Sequence, residues 1–223
     1  MSGQPPRLPA LGPRLLVIFA TLLAVLAGLI LAGWGLGVLL IPVTGGVDVA
    51  AVDGLRSREG GELVAVMRVV TWLGSGAALT VLGVPIGLAL LWRRRRLEVL
   101  LLSLSTLGAA VLVHVVKVLV SRPRPVDPLV HTGTASFPSG HAGDAVAFYG
   151  TLALLVVATN RRRRVRAGAV VAAGVIVLAV GFSRIALGVH YPSDVLASFL
   201  LCGLWVAAAI NLCGRRRSSD VMT

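Results

Sequence analysis

Apolar runs long enough to cross a bilayer, set apart by blocks of arginine, constrain this chain more than any other feature. The runs are 15–43, 69–92, 97–120, 142–159, 167–188 and 193–213, and arginines fill 93–96, 161–164 with 166, and 215–217. A helix of about 20 apolar residues spans the hydrocarbon core, because it satisfies its own backbone polar groups where no water can. The charged content of 13% is about half that of a soluble domain. The fold class is therefore all-α: a polytopic membrane helix bundle with about six transmembrane helices. The length of 223 residues suits one bundle rather than two domains.

Residues 1–14 are Pro-rich and polar, and are expected to form a disordered cytoplasmic N-terminus. Residues 15–213 form one membrane domain, and 214–223 a cytoplasmic tail. The first apolar run is too long for the core of a signal peptide and lacks a clear small-residue cleavage site, so it reads as a retained helix. Residues 45–68 are more polar, and their recurring apolar positions predict a short amphipathic helix at the interface, interrupted at Gly60-Gly61.

The net charge is +12. Nucleic acid is not the expected partner, because the arginine runs carry no interleaved aromatics. They read instead as short basic loops on the cytoplasmic side. With the N-terminus inside, fourteen of the 21 basic residues fall on that side, and the loops 44–68, 121–141 and 189–192 lie outside. Gly33-x3-Gly37 and Gly83-x3-Gly87 read as close helix packing within the molecule. Cys202 and Cys213, eleven apart, have no metal or disulfide spacing and read as small apolar side chains.

Against this background the polar groups of SRIALGVHYPSD, residues 183–194, stand out. Arg184 follows seventeen uncharged residues, and a charge in such a setting requires a partner, a watery cavity or a function. Other polar residues gather at the same predicted face: Lys117, the chain's only lysine; Arg124-Pro125; and Pro138-Ser139-Gly140-His141. Three cations, Lys117, Arg124 and Arg184, with few carboxylates to neutralise them describe an anion site, and a phosphoryl group is the usual anion that needs several donors. Ser139-Gly140 opens a helix, where free N–H groups favour an anion.

Two histidines then divide the chemistry, one attacking phosphorus and one protonating the leaving oxygen. His190 lies four residues before Asp194, with Pro192 suited to a helix start, so the carboxylate is placed to hold the imidazole. His190 is thus the better nucleophile and His141 the better acid. Asp144, three residues after His141, either tunes it or partners one of the cations. No metal or other cofactor is expected, because two histidines and few acids do not make a two-metal site.

These residues resemble the type 2 phosphatidic acid phosphatase (PAP2) superfamily, whose three-part signature is K-x6-R-P, P-S-G-H and S-R-x5-H-x3-D. Here it reads Lys117-x6-Arg124-Pro125, Pro138-Ser139-Gly140-His141 and Ser183-Arg184-x5-His190-x3-Asp194. The resemblance implies a PAP2/haloperoxidase-like helical core. It also implies metal-independent dephosphorylation of a lipid phosphate or pyrophosphate through a phosphohistidine. His190 is then nucleophile, Asp194 its partner and His141 the acid, while Lys117, Arg124, Ser139, Gly140 and Arg184 bind phosphate.

The expected partners are the bilayer and a lipid phosphate: polyprenyl pyrophosphate, phosphatidylglycerol phosphate or phosphatidate. The short chain and compact 121–141 loop favour the first. The expected location is a bacterial cell membrane, with the site on the extracytoplasmic side. The competing readings are a phosphotransferase on the same histidine and a non-catalytic carrier of anionic lipids. Outside the motifs, His114 shares a helix face with Lys117 and reads as a supporting group. His131 and Arg122 read as solvent-facing, with Arg122 near enough to meet substrate, Asp127 as a loop residue, and Trp92 as an interfacial anchor.

Overall fold

The computed structural model describes residues 13–56, 60–130, 133 and 135–214. The predicted N-terminal segment up to residue 12, the tail arginines 215–217 and His131 lie outside the described residues. The elements are α1 (Pro13–Arg56), α2 (Gly61–Trp72), α3 (Gly76–Trp92), α4 (Arg96–Val120), α5 (Gly140–Ala145), a π-helical turn (Val146–Gly150), α6 (Thr151–Thr159), α7 (Arg163–Ala186) and α8 (Pro192–Gly214). α5, the π turn and α6 form one run, Gly140–Thr159. Among the described residues five helical runs are long and apolar enough to cross a membrane, and the α2–α3 pair, bent by 44°, makes a sixth when counted as one broken span.

Two expected boundaries are corrected. The segment 45–56 is not a separate interfacial helix; α1 continues through it to Arg56. Asp48 and Val52, one helical turn apart, are buried there, so tertiary contacts hold the extension in place. The expected span 69–92 is two helices: α2 begins at Gly61, and the chain turns at 73–75 before α3. Ser75 makes that turn by capping α3, its hydroxyl accepting from the Ala78 N–H at 3.2 Å. Gly74 allows the turn to sit on α5, because a Cβ there would lie 2.8 Å from the His141 carbonyl oxygen.

The core lies where α1, α4, the π turn and α8 meet, around Leu112, Val116, Phe137, Leu201 and Trp205. Gly33 and Gly37 bring α1 against Val116 and Val120 of α4, which is the close packing their spacing predicts. α7 packs on α2, α5 and α6, and α3 on α4. Large apolar side chains such as Val170, Val175 and Leu178 cover the outside of the bundle, as a surface facing lipid requires.

Helix direction sets the geometry of the whole molecule. α4 and α7 both start from arginines, Arg96 and Arg163, and both carry a motif cation near their far end, Lys117 and Arg184. The run from Gly140 starts at the motif end and finishes just before the arginine block at 161–164. All three motifs therefore meet at one end of the bundle, and the described arginine blocks lie at the other.

Candidate active site

The described residues of the α4–α5 loop, 121–130, 133 and 135–139, close this end of the bundle, and Lys117 organises them. Its ammonium donates to the carbonyls of Ala135, Ser136 and Pro138 at 3.0, 3.2 and 2.8 Å. Those bonds use every proton an ammonium has, so Lys117 shapes the wall of the site besides lending it charge. Ser121 ends α4 in a left-handed conformation, and the Ser136 N–H returns to the Arg122 carbonyl at 2.7 Å.

Under the loop is a cavity of about 670 Å³. Six of the eight residues expected at the site line it: Lys117, Arg124, Gly140, His141, Arg184 and His190. The other two, Ser139 and Asp194, are fully buried behind its wall. Among the described residues no carboxylate lines the cavity, while Arg68 and Thr71 of α2 do. Sequence reasoning missed this pair, because nothing in the 61–72 segment marks a helix that folds over a site. Thr71 accepts a bond from Arg184 Nη1 at 2.7 Å, and Arg68 donates to the Leu129 carbonyl at 3.0 Å.

Arg124 donates to the Val189 carbonyl at 2.7 Å, and the same nitrogen lies 3.3 Å from His190 Nε2. Asp194 approaches the other ring nitrogen, Nδ1, at 3.5 Å. That is longer than a formed hydrogen bond, and such contacts commonly tighten only around a substrate. The arrangement suits the tautomer with the proton on Nδ1 and a lone pair on Nε2 facing the cavity. Burial pushes His190 down to about 3; Asp194 opposes the shift, and Arg184 and Arg124 add to it. The ring is therefore neutral near pH 7. Burial also lowers the Arg124 guanidinium, and an arginine remains charged regardless.

Behind His190 lies a network that the sequence did not announce. Arg122, expected to face solvent, is buried, and this expectation is corrected. Its Nη1 donates to Asp194 Oδ1 at 2.6 Å and to Ser193 Oγ at 2.8 Å, while Nη2 donates to Asp48 Oδ2 at 2.9 Å. Its guanidinium also lies 4.0 Å above the Tyr191 ring. Asp194 Oδ2 accepts from the Tyr191 N–H at 2.9 Å and from the Ser136 hydroxyl. The one available signal for Arg122 was its place in Arg122-Pro123-Arg124-Pro125, where it shares the rigid Pro-flanked stretch of a motif residue.

The structure also places His114 and Asp144. His114 is exposed on α4, whereas Lys117, three residues on, is half-buried against the loop it holds. Asp144 lies on a second, apolar groove between α3 and α4; no hydrogen bond links it to His141 among the described residues, and its charge acts on Lys117, one of the cations it was expected to partner.

Two buried donors at the site have no hydrogen-bond partner among the described residues: the Ser139 hydroxyl, behind the wall, and Arg184 Nε. Buried donors are normally satisfied, and a guanidinium N–H and a hydroxyl are donors a phosphoryl oxygen accepts from.

Residues 98–218 match the family described as the PAP2 superfamily. Phosphatidylglycerophosphatase B of Bacillus subtilis (strain 168) is 37% identical over 142 residues, covering 61% of this chain and 68% of that protein. Among solved structures, the transmembrane PAP2-type phosphatidylglycerolphosphate phosphatase from Bacillus subtilis superposes with a TM-score of 0.71 at 28% identity, over 92% of this chain and 96% of the other. LpxE of Aquifex aeolicus superposes with a TM-score of 0.58 at 23% identity, over 74% and 95%, a likeness of fold alone.

Proposed function

This chain belongs to the PAP2 superfamily and is a multi-pass membrane enzyme of the lipid phosphatase class, and we propose that it removes the terminal phosphate of a membrane lipid at the extracytoplasmic face, through a phosphohistidine on His190. The observation that carries this reading is the convergence of six motif residues on one cavity with no carboxylate among its described lining residues. Arg124, Arg184 and the Gly140 backbone hold the phosphate oxygens, and the unpartnered Ser139 hydroxyl and Arg184 Nε complete the donor set. Lys117 contributes charge while it holds the loop.

In the first step the Nε2 lone pair of His190 forms a bond to phosphorus as the bond to the lipid oxygen breaks. His141 gives its proton to that oxygen. The Nδ1 proton stays on His190, and Asp194 stabilises the positive ring. In the second step His141 takes a proton from water, the water oxygen bonds to phosphorus, the N–P bond breaks and orthophosphate leaves. The charge that develops in both steps is met by arginines, so the donor set calls for no metal.

Phosphatidylglycerol phosphate ranks first among the substrates, because the relative at 37% identity is named for it. Polyprenyl pyrophosphate ranks next: it also carries a second phosphate, which the extra cation Arg68 at the cavity would meet. The lipid tail lies in the groove of about 520 Å³ between α3 and α4, lined by Gly83, Gly87, Leu88 and Leu107.

The test is phosphate release by the purified protein, with a chelator present, from phosphatidylglycerol phosphate, polyprenyl pyrophosphate and phosphatidate. Release that survives the chelator and is lost in His190→Ala is expected. Release that needs an added divalent ion, or that His190→Ala retains, would sink the mechanism. A product that forms only when an alcohol acceptor is supplied would favour a phosphotransferase.

A further inference from the structure

Asp48 lies on α1, outside the stretch 98–218 that carries the family match. It comes near the end of the longest apolar helix in the chain, yet its carboxylate is buried against the start of α8. Its Oδ2 accepts from Thr44 Oγ1 at 2.8 Å, Arg122 Nη2 at 2.9 Å and Ser193 Oγ at 2.5 Å; its Oδ1 accepts from the Ser193 N–H at 3.1 Å. Asp48 therefore does two things at once. It caps the first turn of α8 from another helix, and it binds the guanidinium that binds Asp194.

The charge balance explains why the second carboxylate matters. A buried arginine with Asp194 as its sole partner would direct its whole charge at that residue. Asp194 would then have less negative potential to offer His190 Nδ1, 3.5 Å from its other oxygen. Asp48 supplies a second counter-charge, so the trio Asp48, Arg122 and Asp194 keeps one net negative charge. Arg122 reaches both carboxylates because its planar fork presents two nitrogens in fixed directions. Ser193 lies between them, donating to Asp48 and accepting from Arg122. All of these groups are buried, and in that setting charges act on one another strongly.

We infer that Asp48 is a positioning residue for the histidine nucleophile: it shares Arg122 with Asp194, and thereby keeps one Asp194 oxygen aimed at His190 and charged. The inference rests on the reading of His190 given above. The charge on Asp194 counts when Nε2 bonds to phosphorus and the lipid oxygen departs, because the retained Nδ1 proton then leaves the ring positive. A plain clamp between α1 and α8 would instead act on the folded fraction alone.

The test uses the full-length protein in detergent with a radiolabelled lipid phosphate, quenched in alkali to preserve phosphohistidine. Asp48→Asn keeps the shape and the acceptor for the Ser193 N–H and removes the charge. The expected result is a fall in kcat of about tenfold per folded molecule, the scale on which supporting partners act in metal sites. KM should stay unchanged, and histidine phosphorylation should slow by the same factor. Adding Arg122→Gln to Asp48→Asn should recover part of the lost rate, since Asp194 is then no longer drawn to an unshared cation. If Asp48→Asn does not fold, Arg122→Lys takes its place, with the same expected fall at constant KM, because an ammonium cannot hold two carboxylates on one fork. An unchanged kcat per folded molecule, or a rise in KM alone, overturns the inference. Wild-type protein that turns over without phosphohistidine would overturn the reading of His190 instead.

Discussion

His190 is a neutral base by virtue of its surroundings, and that has a consequence for rate against pH. Burial holds its folded-state pKa at about 3, below the ordinary histidine value. The attacking form is therefore the one present throughout the range from pH 7 down to 5, and acidification across that range does not remove the nucleophile. The expected outcome is a single-turnover rate of histidine phosphorylation that does not fall between pH 7 and pH 5. A tenfold loss per pH unit starting near 6.5 would mean that the ring titrates as if exposed. The individual chemical groups of the candidate site were legible in the sequence, because Lys117, Arg124, His141, Arg184, His190 and Asp194 stand in or beside long apolar runs, away from the arginine blocks. Their partners were not. Asp48 and Arg122 are 74 residues apart, and no local pattern joins an acid at the end of one helix to an arginine in a loop. Lys117 was legible as a cation, but its hold on the loop was not, since its hydrogen bonds go to carbonyls that any sequence would supply.

At the scale of elements, the turn between α7 and α8 delivers His190, and Gly188 makes the turn. It adopts φ of +63°, the Leu187 N–H bonds back to the Ser183 carbonyl at 2.9 Å, and the Val189 and His190 N–H groups bond to the Arg184 carbonyl at 3.1 and 3.2 Å. A side chain in that conformation costs about 1–2 kcal/mol, and a Cβ would also press the Arg56 guanidinium at 3.0 Å. Gly188→Ala is therefore expected to lower the melting temperature and to lower kcat as well, because strain in this turn moves the nucleophile. Gly174→Ala, on the same α7 with open space around it, serves as the control and is expected to be neutral or slightly stabilising. Equal behaviour of the two variants would show that the turn tolerates a side chain. Most spans were legible because their apolar runs are long. The break at 73–75 was not, because Ser75 and Gly74 interrupt that run without a charge or proline, and only packing on α5 shows why the chain bends there. The extension of α1 was hidden for the converse reason: Gly45-Gly46 and nearby acids look like a helix end, and the burial of Asp48 and Val52 outweighs that local signal.

At the scale of the molecule, the cavity and the described arginine blocks sit at opposite ends of helices such as α4, whose 25 residues span about 37 Å at 1.5 Å per residue. That exceeds the hydrocarbon core of about 30 Å, so the two ends lie on different sides of the membrane. Basic loops are retained in the cytoplasm, which predicts that the loop carrying Arg122 and Arg124 lies outside. Val126 tests this directly. It is 75% exposed on that loop, whereas both native cysteines, Cys202 and Cys213, are buried. Val126→Cys thus places one accessible thiol beside the cavity with little background. A membrane-impermeant maleimide is expected to label it in intact cells, and to label a cysteine placed at Arg94, on the exposed α3–α4 turn, only after the membrane is opened. The reverse pattern would put the cavity in the cytoplasm and require the substrate phosphate to be presented from the inner leaflet. The expected pattern instead couples the proposed chemistry to lipids whose phosphate faces outward, and means that the released orthophosphate leaves on that same side.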